Sequence, residues 1–268
     1  MNKRIIIELE GYGRVLVEGK SIERNKERNT YIVSSENLAF IVDPQNGSRK
    51  WLKDKLGVLS KYRRVFVLVS HSHENHYSYL NGLLAYLAGQ VESTLIIPES
   101  FNTSGEQSAS RCIRVNVGEH YALTADARFI KIKEQFLLSP FPIAITGHSG
   151  HCSSLLNLNI RNEKDRGVLF CSDNLTTCFV PLITDGGDRN AMIEYLSIVL
   201  MYGPTRLLPG HGRDTSKAWI RRLIKYFRGL PFCEPPNSPY IRTRELRELS
   251  SAFHHKNILS VLKHSLDG

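Results

Sequence analysis

The stretch LVSHSHENHYSYL, residues 68–80, decides how this chain is read. His71, His73 and His76 crowd into six residues directly after the apolar β-forming run RRVFVLVS. His71 and His73 are two apart, a spacing that puts both imidazoles on one side of an extended segment. His76, beyond a turn, can approach the same point from another direction. Further candidate ligands follow in the chain at strand ends or just after them: His148 or His151 in FPIAITGHSGHCSSLLNLNI, Asp173 in RGVLFCSDNL and His211 in TRLLPGHGRD. Loops held at the ends of strands are where a rigid sheet can present ligands accurately. Imidazole and carboxylate donors suit Zn²⁺, with Fe or Mn also compatible, as one ion or two. Taken singly, a histidine is more often structural and an aspartate more often a cap or turn former; the joint pattern carries the metal reading.

The rest of the chain is consistent with an α/β protein. RIIIELEGYGRVLVEG reads as two strands, NTYIVSSENLAFIVDPQNG as a second hairpin ending at Asp43, and SRKWLKDKLGVL as a helix through Trp51, Leu52, Leu56 and Leu59. Leu80–Leu87 suits a helix, and SKAWIRRLIKYFRG is a strongly amphipathic one with Ile220, Leu223, Ile224 and Phe227 on one face. Strands and helices alternate in two series, each beginning with strands, which suggests α/β layers. PFCEPPNSP, residues 231–239, holds four prolines and predicts a linker. It divides a domain over 1–230 from a helical C-terminal extension over 231–268, expected to pack on it as a cap, with a pocket lid or a dimer contact as the alternative. His254 and His255, beside Lys256, are expected to be exposed.

Composition narrows the function. The chain has 268 residues, is 41% hydrophobic and carries a net charge of +9. It can bury a sizeable core, and its basic balance suits an anionic partner. Five cysteines with no CxxC spacing argue against a disulfide framework and for a reducing, cytoplasmic setting. No apolar run approaches a membrane span, and Glu8 and Glu10 interrupt the N-terminal isoleucines. No G-x-S-x-G is present, so no serine nucleophile elbow is expected.

The segments HSHENH, HSGHCSS, LFCSDNL and LPGHG, in that order, resemble the four motifs of the metallo-β-lactamase fold superfamily, over about residues 5–230. PLITDGGDRNAMIEYLSIVLMYGPTRLLPGHG is similar to its hydrolase branch that includes thioesterases and lactonases. The resemblance implies an αββα sandwich of two mixed β-sheets flanked by helices, with His71, His73 and His151 on a first metal, His76 and His211 on a second, and Asp173 between them. Small residues after SGH favour His151 over His148. Ser172 stands where the family commonly has glycine, and Asn75 where it has a metal-binding aspartate. A neutral amide cannot accept a proton as a carboxylate does. Asn75 therefore implies a weaker second metal, a more electropositive site and a slower or more specialised enzyme; Glu74 beside it is a poor substitute acid. Tyr77 and Tyr79 are expected to pack or to narrow the pocket.

The implied chemistry is hydrolysis by a metal-activated hydroxide at an ester-like bond: a thioester, lactone or related acyl group, anionic and either small or borne by an acyl-carrier protein. The alternatives are a phosphodiesterase or nuclease, favoured by the basic surface, and a catalytically weakened metal-binding protein, favoured by Asn75. Only roughly 37 residues separate Asp173 from His211, too few for an added nuclease domain.

Overall fold

A computed structural model describes residues 2–9, 13–22, 28–57, 59–133, 141–161, 167–184, 186–213, 215–236 and 244–266. The first sheet has seven strands in chain order: β1 (Asn2–Leu9), β2 (Gly13–Ile22), β3 (Arg28–Ser34), β4 (Leu38–Val42), β5 (Arg64–Leu68), β6 (Glu92–Pro98) and β7 (Arg111–Val115). β1 to β4 pair antiparallel, and β4 to β7 parallel. The second sheet comprises β8 (His120–Leu123), β9 (Phe129–Ile132), β10 (Ile143–His148), β11 (Leu155–Ile160), β12 (Val168–Ser172) and β13 (Arg206–Pro209). Its order is β13-β12-β11-β10-β8-β9, antiparallel except for β12 and β13. Both sheets are mixed, as the sandwich reading requires.

The central strands are apolar on both faces, and their alternation sorts side chains between two cores. In β4, Leu38, Phe40 and Val42 point between the sheets while Ala39 and Ile41 face outward; in β12, Val168 and Phe170 point inward while Leu169 and Cys171 face outward. Period-two alternation with both faces buried is what a strand shows when a sheet lies on one side and helices on the other. Over the outer face of the first sheet lie α1 (Arg49–Leu56) and α3 (Leu80–Leu87), through Leu52, Leu56, Leu83, Leu84 and Leu87. Leu59, expected to continue α1, belongs instead to a separate short turn beyond Gly57. Tyr79 is buried in this layer and Tyr77 packs edge-on against Phe101, so both tyrosines pack.

Helices α4 (Arg189–Tyr202) and α5 (Lys217–Gly229) cover the second sheet. Asp188 caps α4 by accepting from Ala191 N at 2.6 Å, and Gly203, in the left-handed region, ends it. Ser216 caps α5 by accepting from Trp219 N at 3.3 Å. α5 buries Trp219, Ile220, Leu223, Ile224, Tyr226 and Phe227. Each such side chain contributes roughly 1.5–3 kcal/mol by leaving water.

The helical tail is one helix, α6 (Arg244–Leu266), and it lies against the body of the molecule. It packs through both apolar and polar side chains. Leu246 is buried and Phe253 packs on Phe179, but Leu262 is 44% exposed. The face turned inward mixes apolar side chains, among them Leu249, Phe253, Ile258 and Val261, with polar ones. Ser250 Oγ accepts from Val180 N, Asn257 Oδ1 accepts from Ile183 N at 2.7 Å, and Asn257 Nδ2 donates to Pro181 O at 3.0 Å. His254, expected at the surface from its charged neighbours, is buried beside the Tyr226 hydroxyl at 3.1 Å; His255 is exposed. The local sequence misleads here because the partners of this face lie far away in the chain. Of the proline-rich stretch, residues 231–236 are described and 237–239 lie outside the described residues. No helix among the described residues is long and apolar enough to cross a membrane.

Phe227 has no exposed surface, so Phe227→Ala is expected to cost about 3–5 kcal/mol, measured as a fall in the denaturant midpoint at unchanged slope.

Candidate metal centre

β4, β5 and, in the second sheet, β10, β12 and β13 all deliver their C-terminal ends to one place. His71 follows β5, and His76 lies on the single-turn helix α2 (Glu74–Tyr77). His151, Asp173 and His211 follow β10, β12 and β13. The structure brings together His71, His73, His151 and Asp173 as one group, and His76, Asp173 and His211 as a second, the donor atoms in each lying within 4.8 Å of one another. Every member but His73 is buried. His148 stands outside both groups, at the end of β10, with its ring edge-on to Tyr195.

Asp173 is the common member. Its Oδ2 lies 3.4 Å from His76 Nε2, 3.4 Å from His211 Nε2, 3.7 Å from His151 Nε2 and 3.9 Å from His71 Nε2. His73 Nδ1 lies 2.9 Å from His71 Nε2 and 3.1 Å from His151 Nε2. Nitrogens shared by one tetrahedral ion would stand about 3.3 Å apart at ordinary metal–nitrogen distances.

The far nitrogens of three rings are already committed, and this fixes which way the lone pairs point. His151 Nδ1 faces the Leu182 carbonyl at 2.6 Å and His76 Nδ1 faces Asp43 Oδ2 at 2.8 Å; neither oxygen can donate, so both nitrogens carry the proton. Ser70 Oγ donates to Asp43 Oδ2 at 2.8 Å and therefore accepts from His71 Nδ1 at 3.0 Å. In their neutral forms all three Nε2 atoms thus present lone pairs to Asp173 and to one another. Lone pairs converging on a buried carboxylate oxygen require a cation or a proton among them. Two buried atoms point the same way: His76 Nε2 and Asp173 Oδ1 have no hydrogen-bond partner among the described residues. The donor set therefore fits one or two divalent ions.

The electrostatics separate His76, which holds a proton when no cation is bound, from the other rings. Burial, with neighbouring imidazoles, holds His71 well below its ordinary pKa, and burial takes His151 down to about 4; both stay neutral, as ligands must. Burial lowers His73 as well. Burial opposes protonation of His76 too, but the Asp173 and Asp43 carboxylates outweigh it and raise it to about 10. Burial alone would raise Asp173; His211 and His76 hold it well below the usual carboxylate range.

Supporting residues came into view only with the fold. Asp43, at the end of β4, has a left-handed φ of 53° and also accepts from Ser70 N at 2.8 Å. A non-glycine residue held there is strained, and such strain gathers at functional sites. Ser172, at the glycine-like position before Asp173, has a φ of 45° and donates to Ser70 Oγ at 2.6 Å. Asn29 clamps the His211 loop, donating through Nδ2 to Pro209 O and Gly212 O at 2.9 Å each, while its backbone N–H donates to Gly210 O. Gly210 leaves the space that Asp173 uses: an added Cβ would sit 2.2 Å from Asp173 Oδ1. The sequence signals were slight: an acid ending an apolar strand, and an asparagine opening another.

A cleft of about 220 Å³ opens over the group. Its polar lining includes His73, Asn75, Asp173, His211, Arg28 and Thr184. Its apolar wall is Phe179, Leu182, Leu249 and Phe253, the last two from α6. Asn75 therefore reaches the cleft, whereas Glu74 is exposed and is not part of its lining.

No family model matches the chain, and no curated protein matches it in sequence. Solved structures do. The metallo-β-lactamase DIM-1 superposes at a TM-score of 0.56 with 13% identity, over 85% of this chain and 99% of its own. The metallo-β-lactamase FIM-1 from Pseudomonas aeruginosa, described in a mono-zinc form, gives 0.53 at 11% identity, over 86% of this chain and 97% of its own. A peroxy diiron species of the chemotaxis sensor ODP gives 0.51 at 14% identity, over 80% of this chain and 91% of its own. At these identities the likeness establishes the fold, that of the metallo-β-lactamases.

Asp43→Asn removes the charge that orients His76 and Ser70 without touching the ligand atoms. Metal affinity, read by competition with a chromogenic chelator, should fall about 10–100-fold. Glu74→Gln should leave it unchanged.

Proposed function

We propose that this chain of metallo-β-lactamase fold is a metal-dependent hydrolase acting on an ester-like bond, a thioester, lactone or related acyl group, in an anionic substrate. The observation that carries the metal reading is Asp173 Oδ2, surrounded by four imidazole nitrogens at 3.4–3.9 Å. His71, His73 and His151 would hold one ion, His76 and His211 a second, and Asp173 would serve both. Zinc suits five histidines and an aspartate with no thiolate; iron and manganese suit them as well. A bound divalent ion supplies Lewis acidity and lowers the pKa of a coordinated water from 15.7 to near 7.

The chain's own groups do the rest. Asp43, Ser70 and the Leu182 carbonyl hold protons on the outer nitrogens of His76, His71 and His151, so the inner nitrogens stay available. Asn75, at the cleft lining, can donate to or accept from a substrate but cannot take up a proton. Proton transfer therefore falls to other groups, in keeping with a slower or more selective enzyme than one with a carboxylate here. Phe179, Leu182, Leu249 and Phe253 exclude water from one side and suit a short apolar acyl group. This wall favours an acyl substrate over a nucleic-acid backbone, which offers phosphates rather than apolar surface.

The test is a metal count on purified protein followed by a panel of chromogenic thioesters, lactones and phosphodiesters. One or two ions per chain and metal-dependent turnover of an acyl substrate are expected, with Asp173→Ala losing both. Preference for the phosphodiester would replace the acyl reading, and metal without turnover of any substrate would leave a binding protein. Asn75→Asp should tighten the more weakly held ion by at least about tenfold, since it restores a charge beside a dication; unchanged stoichiometry and activity would sink the account of Asn75.

A further inference from the structure

The cleft uses the N-terminal ends of the helices on the second sheet: Asp188 N donates to Gly150 O, next to His151, and Trp219 Nε1 donates to Thr176 O. Farther along these helices lies a second concavity, an open groove of about 490 Å³ between α4 and α5. α4 contributes Ser197, Leu200 and Met201, at positions i, i+3 and i+4. α5 contributes Arg221, Ile224, Lys225 and Arg228, at i, i+3, i+4 and i+7. Both sets are single helix faces. The floor is apolar, and Met201 is 78% exposed in it. Arg221, Lys225 and Arg228 are exposed and make no ion pair with any described residue. Glu194, one turn before Ser197, does not pair with them.

We propose that this groove docks an acidic amphipathic helix of a partner protein. The lining of the α5 face runs from Arg221 to Arg228, about 10 Å, which matches about two turns of a partner helix. Three cations along one rim, unpaired among the described residues, call for carboxylates, and an apolar floor calls for aliphatic side chains on the same partner face. Methionine adapts its shape to such an insert, and Arg and Met are the residues that protein interfaces enrich. A phosphate backbone would meet the rim but gain nothing from Leu200, Met201 and Ile224. A lipid surface would need α5 to bury its apolar face in the bilayer, and that face is already packed through Trp219, Ile220, Leu223 and Phe227. Ser197 lies nine residues beyond Asp188, about 13 Å along the axis of α4, so a bound helix leaves the cleft open.

The probe is a fluorescein-labelled helical peptide with leucines at i, i+3, i+4 and i+7 and glutamates elsewhere, titrated with the full chain and read by anisotropy. A glutamine-for-glutamate peptide, single-stranded DNA and phosphatidylserine vesicles are the comparisons. The acidic peptide should bind at least about tenfold more tightly than the neutral one, and the affinity should weaken as salt rises. The triple reversal Arg221→Glu, Lys225→Glu, Arg228→Glu should reduce binding at least about tenfold, as should Met201→Asp alone. Both variants change exposed side chains, and their metal content should equal that of the unaltered chain. Equal binding of the two peptides, or insensitivity to both variants, overturns the proposal. So does tighter binding of DNA or vesicles that survives Met201→Asp, which would assign the rim to phosphate.

Discussion

One buried carboxylate, that of Asp43, holds the centre in order. It reads out three groups at once, the Ser70 amide, the Ser70 hydroxyl and the His76 ring, each at 2.8 Å. Through Ser70 it also sets the orientation of His71 and takes up Ser172, the residue before Asp173. Two ligand-bearing loops, one from each sheet, thus refer to a single side chain. Its left-handed backbone is tolerated because so many bonds fix it. A loss at this position would leave buried hydrogen-bonding groups without partners as well as loosening the rings, which is why buried polar networks of this kind are held complete or not at all.

Much of the fold could be read from the sequence because the relevant signals are local. Apolar runs such as RRVFVLVS and RGVLFCS form central strands, the stripe in SKAWIRRLIKYFRG forms a buried helix face, and a histidine or aspartate directly after a strand ends where the sheet ends. The six side chains His71, His73, His76, His151, Asp173 and His211 meet for that reason. What escaped reading depends on separations no local pattern encodes. Asn29 grips a loop about 180 residues away, Asp43 meets His76 across 33 residues, and Asn257 closes on Pro181 across 76. α6 shows the same limit in reverse. Beside its packed apolar side chains, Ser250, His254 and Asn257 also turn inward, because their partners are backbone groups and Tyr226.

α6 joins the two levels of organisation. The helix is stitched to the loop 178–184 by hydrogen bonds and by the Phe179–Phe253 ring pair, and the same loop supplies the Leu182 carbonyl that orients His151. The apolar wall of the cleft and the orientation of one ligand therefore rest on the same segment. The cleft wall and the candidate metal centre are coupled here by packing.

The placement of the donors also bears on mechanical cohesion. His71, His73 and His76 hang from the first sheet, and His151, Asp173 and His211 from the second. A cation gripped by both sets would rivet the two layers at the rim where their hydrophobic filling ends. Such a rivet favours the native state by mass action, about 2.7 kcal/mol when free ion stands at one hundred times its dissociation constant. The thermal midpoint of this protein would then track the ion content of its surroundings, making the sandwich itself a reporter of occupancy.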